Sequence, residues 1–158
     1  RCRQEFEEQR EQLAHWRHIE KVFLKEKESL KTNPTQDIAE NFARYLELIS
    51  DGKVTSEFPD AEKLDPHVYS GDRLMDYDKL SEGTKETVSL AFRLAVLDHL
   101  FPEGGGLVVL DDPFANMDKE RTEQAARIVK DCAERHQIVF LTCREEYAPL
   151  LGGNLIRI

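Results

Sequence analysis

The sequence predicts an α/β fold: a parallel sheet flanked by helices, preceded by an N-terminal coiled-coil helix and a small antiparallel patch. Three observations predict it. Short apolar runs at 107–111 and 138–142 alternate with amphipathic stretches at 83–100 and 119–135, the pattern of parallel strands covered by crossover helices. The first run ends in two carboxylates, Asp111 and Asp112, followed by Pro113. Ahead of it, Leu80-Ser81-Glu82-Gly83-Thr84 forms a small-residue turn at the head of the longer helix.

Taken in order, residues 1–31 hold eight Lys/Arg and seven Asp/Glu and lack Gly and Pro. Phe6, Leu13, Trp16, Phe23 and Leu30 fall at heptad spacing, interrupted by Gln9, Glu20 and Lys27. That spacing predicts the end of a coiled-coil arm over 1–33; a solvated helix docked on the domain is the plainer alternative. Asn33-Pro34 ends it. The remainder, 34–158, is expected to be one lobe. Thr35 is positioned to cap a helix whose Ile38, Phe42, Tyr45, Leu46 and Ile49 share one face. Asp51-Gly52 turns the chain into candidate strands at 53–58, 66–70 and 73–77. The helix at 83–100 carries Val88, Ala91, Phe92 and Ala95 inward. Gly104-Gly105-Gly106 leads into the strand at 107–111. Asp118 caps the helix at 119–135, with Ala125, Ile128, Val129 and Cys132 inward. Leu155-Ile156-Arg157-Ile158 is expected to close the sheet.

Composition narrows the function. The 158 residues carry a net charge of −9, and the excess of acid lies outside the first 31 residues. An acidic globular part argues against nucleic-acid binding by this piece alone. Three scattered cysteines, Cys2, Cys132 and Cys143, make neither a disulfide framework nor a zinc site and fit a reducing cytoplasmic setting. The longest purely aliphatic run, Leu107–Leu110, is far too short to span a membrane. No signal-peptide pattern opens the chain, and it starts on Arg1, which raises the expectation that it was excised from a longer one.

The chemistry gathers at two segments. A carboxylate at the carboxyl end of a buried strand can hold Mg²⁺ through water, and a second beside it can orient or deprotonate a water. Taken alone, Asp-Asp-Pro reads equally as a strand exit with a capping role. Ser81-Glu82-Gly83-Thr84 offers a hydroxyl and unpaired N–H groups at a helix N-terminus, suited to an anion. Taken alone, it reads equally as an N-cap. What is missing is as informative. No G-x-x-x-x-G-K-[ST] phosphate loop occurs: Gly104-Gly105-Gly106 lacks the following Gly-Lys-Ser/Thr, and Gly83-Thr84-Lys85 lacks the first glycine. The sequence therefore reads as half of a nucleotide site.

Order and spacing then carry a resemblance. Residues 80–101, LSEGTKETVSLAFRLAVLDHLF, are similar to the signature motif and following helix of the coiled-coil ABC-type ATPases: SMC proteins, SbcC-type break-repair ATPases and YhaN-like bacterial relatives. Residues 107–118, LVVLDDPFANMD, resemble their Walker B strand and D-loop. The resemblance covers essentially the whole chain and implies the C-terminal lobe of an ABC-type P-loop ATPase head, with the Walker A lobe elsewhere. It implies that Ser81 and Gly83 contact the γ-phosphate of ATP held by an opposite protomer. By the same resemblance Asp111 is the Mg²⁺-associated carboxylate and Asp112 occupies the catalytic-base position. Ala115, Asn116, Met117 and Asp118 are the D-loop, with Asn116 and Asp118 at the nucleotide, and Arg93 is a basic coupling residue on the signature helix.

Two departures stand out. The family usually has Glu where this chain has Asp112, shorter by one methylene. The switch histidine after the next strand is replaced by Cys143 or Arg144, of which Arg144 can serve as a fixed cation on a phosphate. His136 precedes that strand and is expected at its opposite end.

The implied partners are the N-terminal Walker A lobe, a second copy of the head, DNA and a nuclease subunit. The implied cofactors are ATP and Mg²⁺. Two functions compete: an ATP-hydrolysing head that moves coiled-coil arms on DNA, in repair or chromosome maintenance, and an ATP-binding structural or regulatory head with little hydrolysis. A free-standing two-metal phosphohydrolase ranks last, because further His or carboxylate ligands are absent near Asp111 and Asp112.

Overall fold

The computed structural model describes residues 34–60 and 65–157. The coiled-coil arm expected over 1–33 lies outside the described residues.

Helix α1 (Pro34–Ser50) opens the described chain. Its Ile38, Phe42, Tyr45, Leu46 and Ile49 are all buried, because the i, i+3/i+4 spacing puts them on one face. Thr35 lies within the helix rather than one step before it, a correction to the expected boundary. Proline fits the first turn because its missing N–H would have no intrahelical partner there. Strands β1 (Val54–Glu57), β2 (His67–Ser70) and β3 (Arg73–Met75) form an antiparallel sheet in that order. The predicted patch is therefore present, with shorter strands. The third strand stops at Met75, and a 3₁₀ turn at Tyr77–Lys79 takes its place and leads into the signature segment.

Helix α2 (Glu82–Leu100) buries Val88, Leu90, Ala91, Leu94, Ala95 and Leu97. Strand β4 (Leu107–Asp111) follows, then α3 (Lys119–Ala133) and β5 (Gln137–Leu141). Between α2 and β4, Gly104 and Gly105 adopt φ of 86° and 82°, values natural to glycine alone. The Gly105 N–H donates to the Arg135 carbonyl at 2.7 Å. The glycine run is thus a turn that locks the start of β4 to the start of β5. A second 3₁₀ turn (Glu145–Tyr147) and the short α4 (Ala148–Leu151) complete the regular structure of the described residues.

Strands β4 and β5 pair in parallel, from Leu107 against Gln137 to Asp111 against Leu141. Among the described residues the sheet has two strands, and one of its faces is covered. Val108 and Leu110 pack with Ile138 and Phe140 against the core, whereas Leu107 (58% exposed), Val109 (51%) and Leu141 (45%) lie on the other face. The aliphatic run was expected to be buried on both sides, and within this chain it is not.

The expected last strand does not form over 155–157, while Ile158 lies outside the described residues. Gly152 and Gly153, at φ of 68° and 82°, turn the chain away from β5. The tail stands off across a cleft of about 800 Å³ lined by Val129, Ile138, Phe140, Leu151 and Leu155. No helix among the described residues is long and apolar enough to cross a membrane.

Candidate functional site

The signature segment starts where the 3₁₀ turn ends. Leu80 is buried and anchors it. Ser81 has extended backbone (φ −62°, ψ 153°), and its Oγ accepts from the Thr84 N–H at 3.2 Å. It therefore caps α2, satisfying one of the helix's unpaired donors. Its hydroxyl also shares a hydrogen bond with Thr84 Oγ1 at 2.8 Å. Gly83 is buried against the D-loop: a Cβ built there would fall well inside contact distance of the Asn116 carbonyl oxygen. The signature turn and the D-loop approach this closely because residue 83 has no side chain.

The D-loop is anchored from below. Phe114 is fully buried between Phe140 (ring centroids 4.9 Å apart) and Tyr147 (5.5 Å). The Tyr147 hydroxyl donates to the Phe114 carbonyl at 3.2 Å. Arg144 donates from Nη2 to the Ala115 carbonyl at 2.9 Å and from Nη1 to the Tyr147 hydroxyl at 3.0 Å. Tyr147 raises the already high Arg144 pKa, first through charge interaction and then through that bond, so the guanidinium remains a fixed cation. Arg144 thus braces the D-loop in this arrangement. Asp118 caps α3, its Oδ1 accepting from the Arg121 N–H at 2.9 Å. Arg121 then reaches across to Thr84 Oγ1 at 3.0 Å, tying α3 to the head of α2.

Asp111 ends β4 with an exposed carboxylate. Asp112 follows at φ 40°, in the left-handed region, which Asp tolerates better than most side chains. Its N–H continues the ladder to the Leu141 carbonyl at 2.8 Å. Its Oδ1 accepts from the Thr142 hydroxyl at 2.8 Å, while the Thr142 oxygen accepts from the Arg144 N–H at 3.1 Å. One carboxylate oxygen is thereby fixed. A small cleft of about 120 Å³ beside it is lined by Glu86, Ser89, Arg93, Asp111, Asp112 and Pro113.

Ser81, Gly83, Asn116 and Asp118 therefore meet in one assembly where α2 abuts the D-loop, and Asp111 and Asp112 stand beside it at the strand ends. Cys143 is exposed. His136 is buried, accepts from the Gly106 N–H at 3.2 Å and lies at the opposite end of β5, where it was expected. No group of three or more His, Cys, Asp or Glu placed to hold a metal occurs among the described residues.

Besides Arg121 and Tyr147, which brace the assembly, two residues that touch Asp112 and Asn116 escaped the sequence reading. Thr142 holds Asp112 from 30 residues away, and nothing local announces it. Glu86 accepts twice from Asn116, also 30 residues distant. A signal for Glu86 did exist: it follows Gly83 by three residues, so both share a helix face.

No family model matches the chain. It is 29% identical over 106 residues, 67% of its length, to the DNA double-strand break repair Rad50 ATPase of Sulfurisphaera tokodaii, of which the match spans 12%. Among solved structures it is similar to an SMC head bound to the C-winged-helix domain of ScpA (TM-score 0.64, 20% identity, 80% of this chain and 39% of that one). It is also similar to an SMC ATPase described through ATP-driven dimerisation and DNA-stimulated activation (TM-score 0.57, 17% identity, 74% of this chain and 71% of that one).

Proposed function

We propose that this chain, which has the fold of the C-terminal lobe of an SMC/Rad50-like ABC-type ATPase head, supplies the trans half of a composite ATP site. The observation that carries the reading is the union of the signature turn with the D-loop. Gly83 lies against the Asn116 backbone, and Arg121 ties α3 to Thr84. A helix N-terminus suits a phosphate, yet the chain carries no loop to grip one. The nucleotide would be held by the Walker A lobe of a second head, with Ser81 and Gly83 closing over its γ-phosphate. The chain's own Walker A lobe would cover the bare face of β4–β5, where Leu107, Val109 and Leu141 are exposed; such apolar surface calls for a cover.

Within that assembly Asp111, an exposed hard oxygen donor, fits Mg²⁺ held through water. When bound, the ion neutralises charge on the phosphate oxygens. Asp112 would take the proton of the attacking water on the oxygen that Thr142 leaves open. DNA would be the substrate moved by the arms, in repair or chromosome maintenance, in a cytoplasmic setting.

A second reading, an ATP-dependent clamp with little hydrolysis, draws on two observations. Asp112 is short and held by Thr142, and of Cys143 and Arg144, which share the place of the switch histidine, Arg144 is engaged by Ala115 and Tyr147.

The test uses the intact protein with both lobes. Ser81→Arg should abolish ATP-driven dimerisation on size-exclusion chromatography while ATP binding to each head's own phosphate loop survives. Asp112→Asn should give dimers that persist. Normal dimerisation of Ser81→Arg would reduce the signature turn to a helix cap and overturn the composite site. Parent turnover equal to that of Asp112→Ala, with and without DNA, would select the clamp.

A further inference from the structure

Asn116 is gripped by a single carboxylate. Its backbone N–H donates to Glu86 Oε2 at 2.8 Å and its side-chain Nδ2 donates to Oε1 at 2.6 Å. An ionised carboxylate only accepts, and bonds to it are stronger than those between neutral groups. The two ends of an Asn amide have nearly the same shape, so a neighbour's chemistry decides which end faces it. Glu86 takes the NH₂ end. Oδ1 therefore faces away from Glu86 and makes no hydrogen bond among the described residues. Asn116 is exposed, and its backbone carbonyl is already packed on Gly83.

We infer that Glu86 is a positioning residue that sets the polarity of the D-loop. It engages the backbone N–H and the side-chain NH₂ of Asn116 and so leaves Oδ1 as the acceptor turned away from it at the loop tip. The group it would meet on a second copy of the head is then a donor, an N–H or O–H, and a carbonyl or carboxylate in that place would be repelled. The inference rests on the composite-site reading, which puts the D-loop at the junction of two heads.

The geometry permits a test by exchange of donor and acceptor. Glu86→Gln removes one of the two acceptors and sets an NH₂ against a donor of Asn116. Asn116→Asp sets two carboxylates against each other. In the combined Glu86→Gln/Asn116→Asp protein the new amide donates to the new carboxylate, its oxygen keeps the backbone N–H, and the tip still presents an acceptor.

In the intact protein with saturating Mg-ATP, each single change should weaken head dimerisation by about tenfold or more. The combined protein should recover to within about threefold of the parent. ATP affinity of the monomeric Glu86→Gln head should stay within about twofold, since the phosphate-loop contacts lie in the other lobe. Single variants that dimerise like the parent, or a combined variant that does not recover, would overturn the assignment. Ser81→Arg separates the two failures. If it dimerises normally, the composite site itself is wrong; if it fails to dimerise while the exchange series is flat, only the role of Glu86 is wrong.

Discussion

The two ends of the β4–β5 sheet handle polar groups in opposite ways. At the amino ends, Asp98 of α2 is the hub of a buried network, with its side chain 9% exposed and that of His136 fully buried. Asp98 accepts from the Tyr45 hydroxyl of α1, from Arg135 Nη2 at 2.9 Å and from His136 Nε2 at 3.2 Å. The Gly106 N–H donates to His136 Nδ1, which places the ring proton on Nε2, facing Asp98. The Cys132 thiol packs beside the Tyr45 hydroxyl at 3.4 Å. At the carboxyl ends, Asp111 is exposed, Asp112 sits at φ 40°, and Asn116 keeps an acceptor open. One end saturates its polar groups and so holds three helices together. The other leaves polar groups exposed beside a left-handed residue, an arrangement that recurs at binding sites.

The comparison breaks most directly at Asp98. Asp98→Ala strands the Tyr45 hydroxyl and the buried His136 N–H, and should destabilise the chain by about 3 kcal/mol. A urea titration of the isolated chain measures this, and a loss below about 1 kcal/mol would show that the network is dispensable.

Gly83→Ala sharpens the other side. Its Cβ must displace the Asn116 carbonyl, at a cost of about 1–3 kcal/mol. The larger consequence should be functional, because the D-loop shifts: ATP-driven dimerisation of the intact protein should be lost even where the head still melts cooperatively. Unchanged dimerisation would mean that the close approach serves packing alone.

The smallest effect is alkaline. Burial raises the Tyr45 hydroxyl above its ordinary value of 10.0, assisted by the bond to Asp98. Burial likewise raises the Cys132 thiol above 9.0. Both groups keep their protons in the folded state at pH values where the unfolded chain releases them. Their contribution is therefore complete below about pH 9 and declines as pH rises, by at most about 1.4 kcal/mol per unit for each group. Tyr45→Phe should flatten the fall in stability above pH 10, measured by denaturant midpoints at pH 8 and 10.5. An unchanged slope would show that Tyr45 titrates normally.

Much of this was legible in advance. The apolar faces of α1, α2 and α3 follow from helical spacing, and each expected inward residue is buried or nearly so. The caps at Ser81 and Asp118 follow from local chemistry, since a hydroxyl or carboxylate one step before a helix has N–H groups within reach. Strand length and strand cover were less legible. A run such as Leu107–Leu110 announces burial on two faces without saying whether both covers belong to the same chain. The tail at 155–157 is apolar enough for a strand, yet Gly152 and Gly153 turn it aside.

What the sequence by itself determined is everything that acts over a few residues. It set the order of the helices and of the strands through β5, the two motifs and their likeness to coiled-coil ABC-type heads, and the absence of a phosphate loop. Only the tertiary structure decided which distant groups meet. Glu86 and Asn116, Asp112 and Thr142, and Asp98 and His136 are each separated by 30 residues or more. Periodicity reports which face a side chain occupies, but a hydrogen bond depends on how two faces pack to within about 3 Å. That distance is fixed by the whole core and appears in no local pattern.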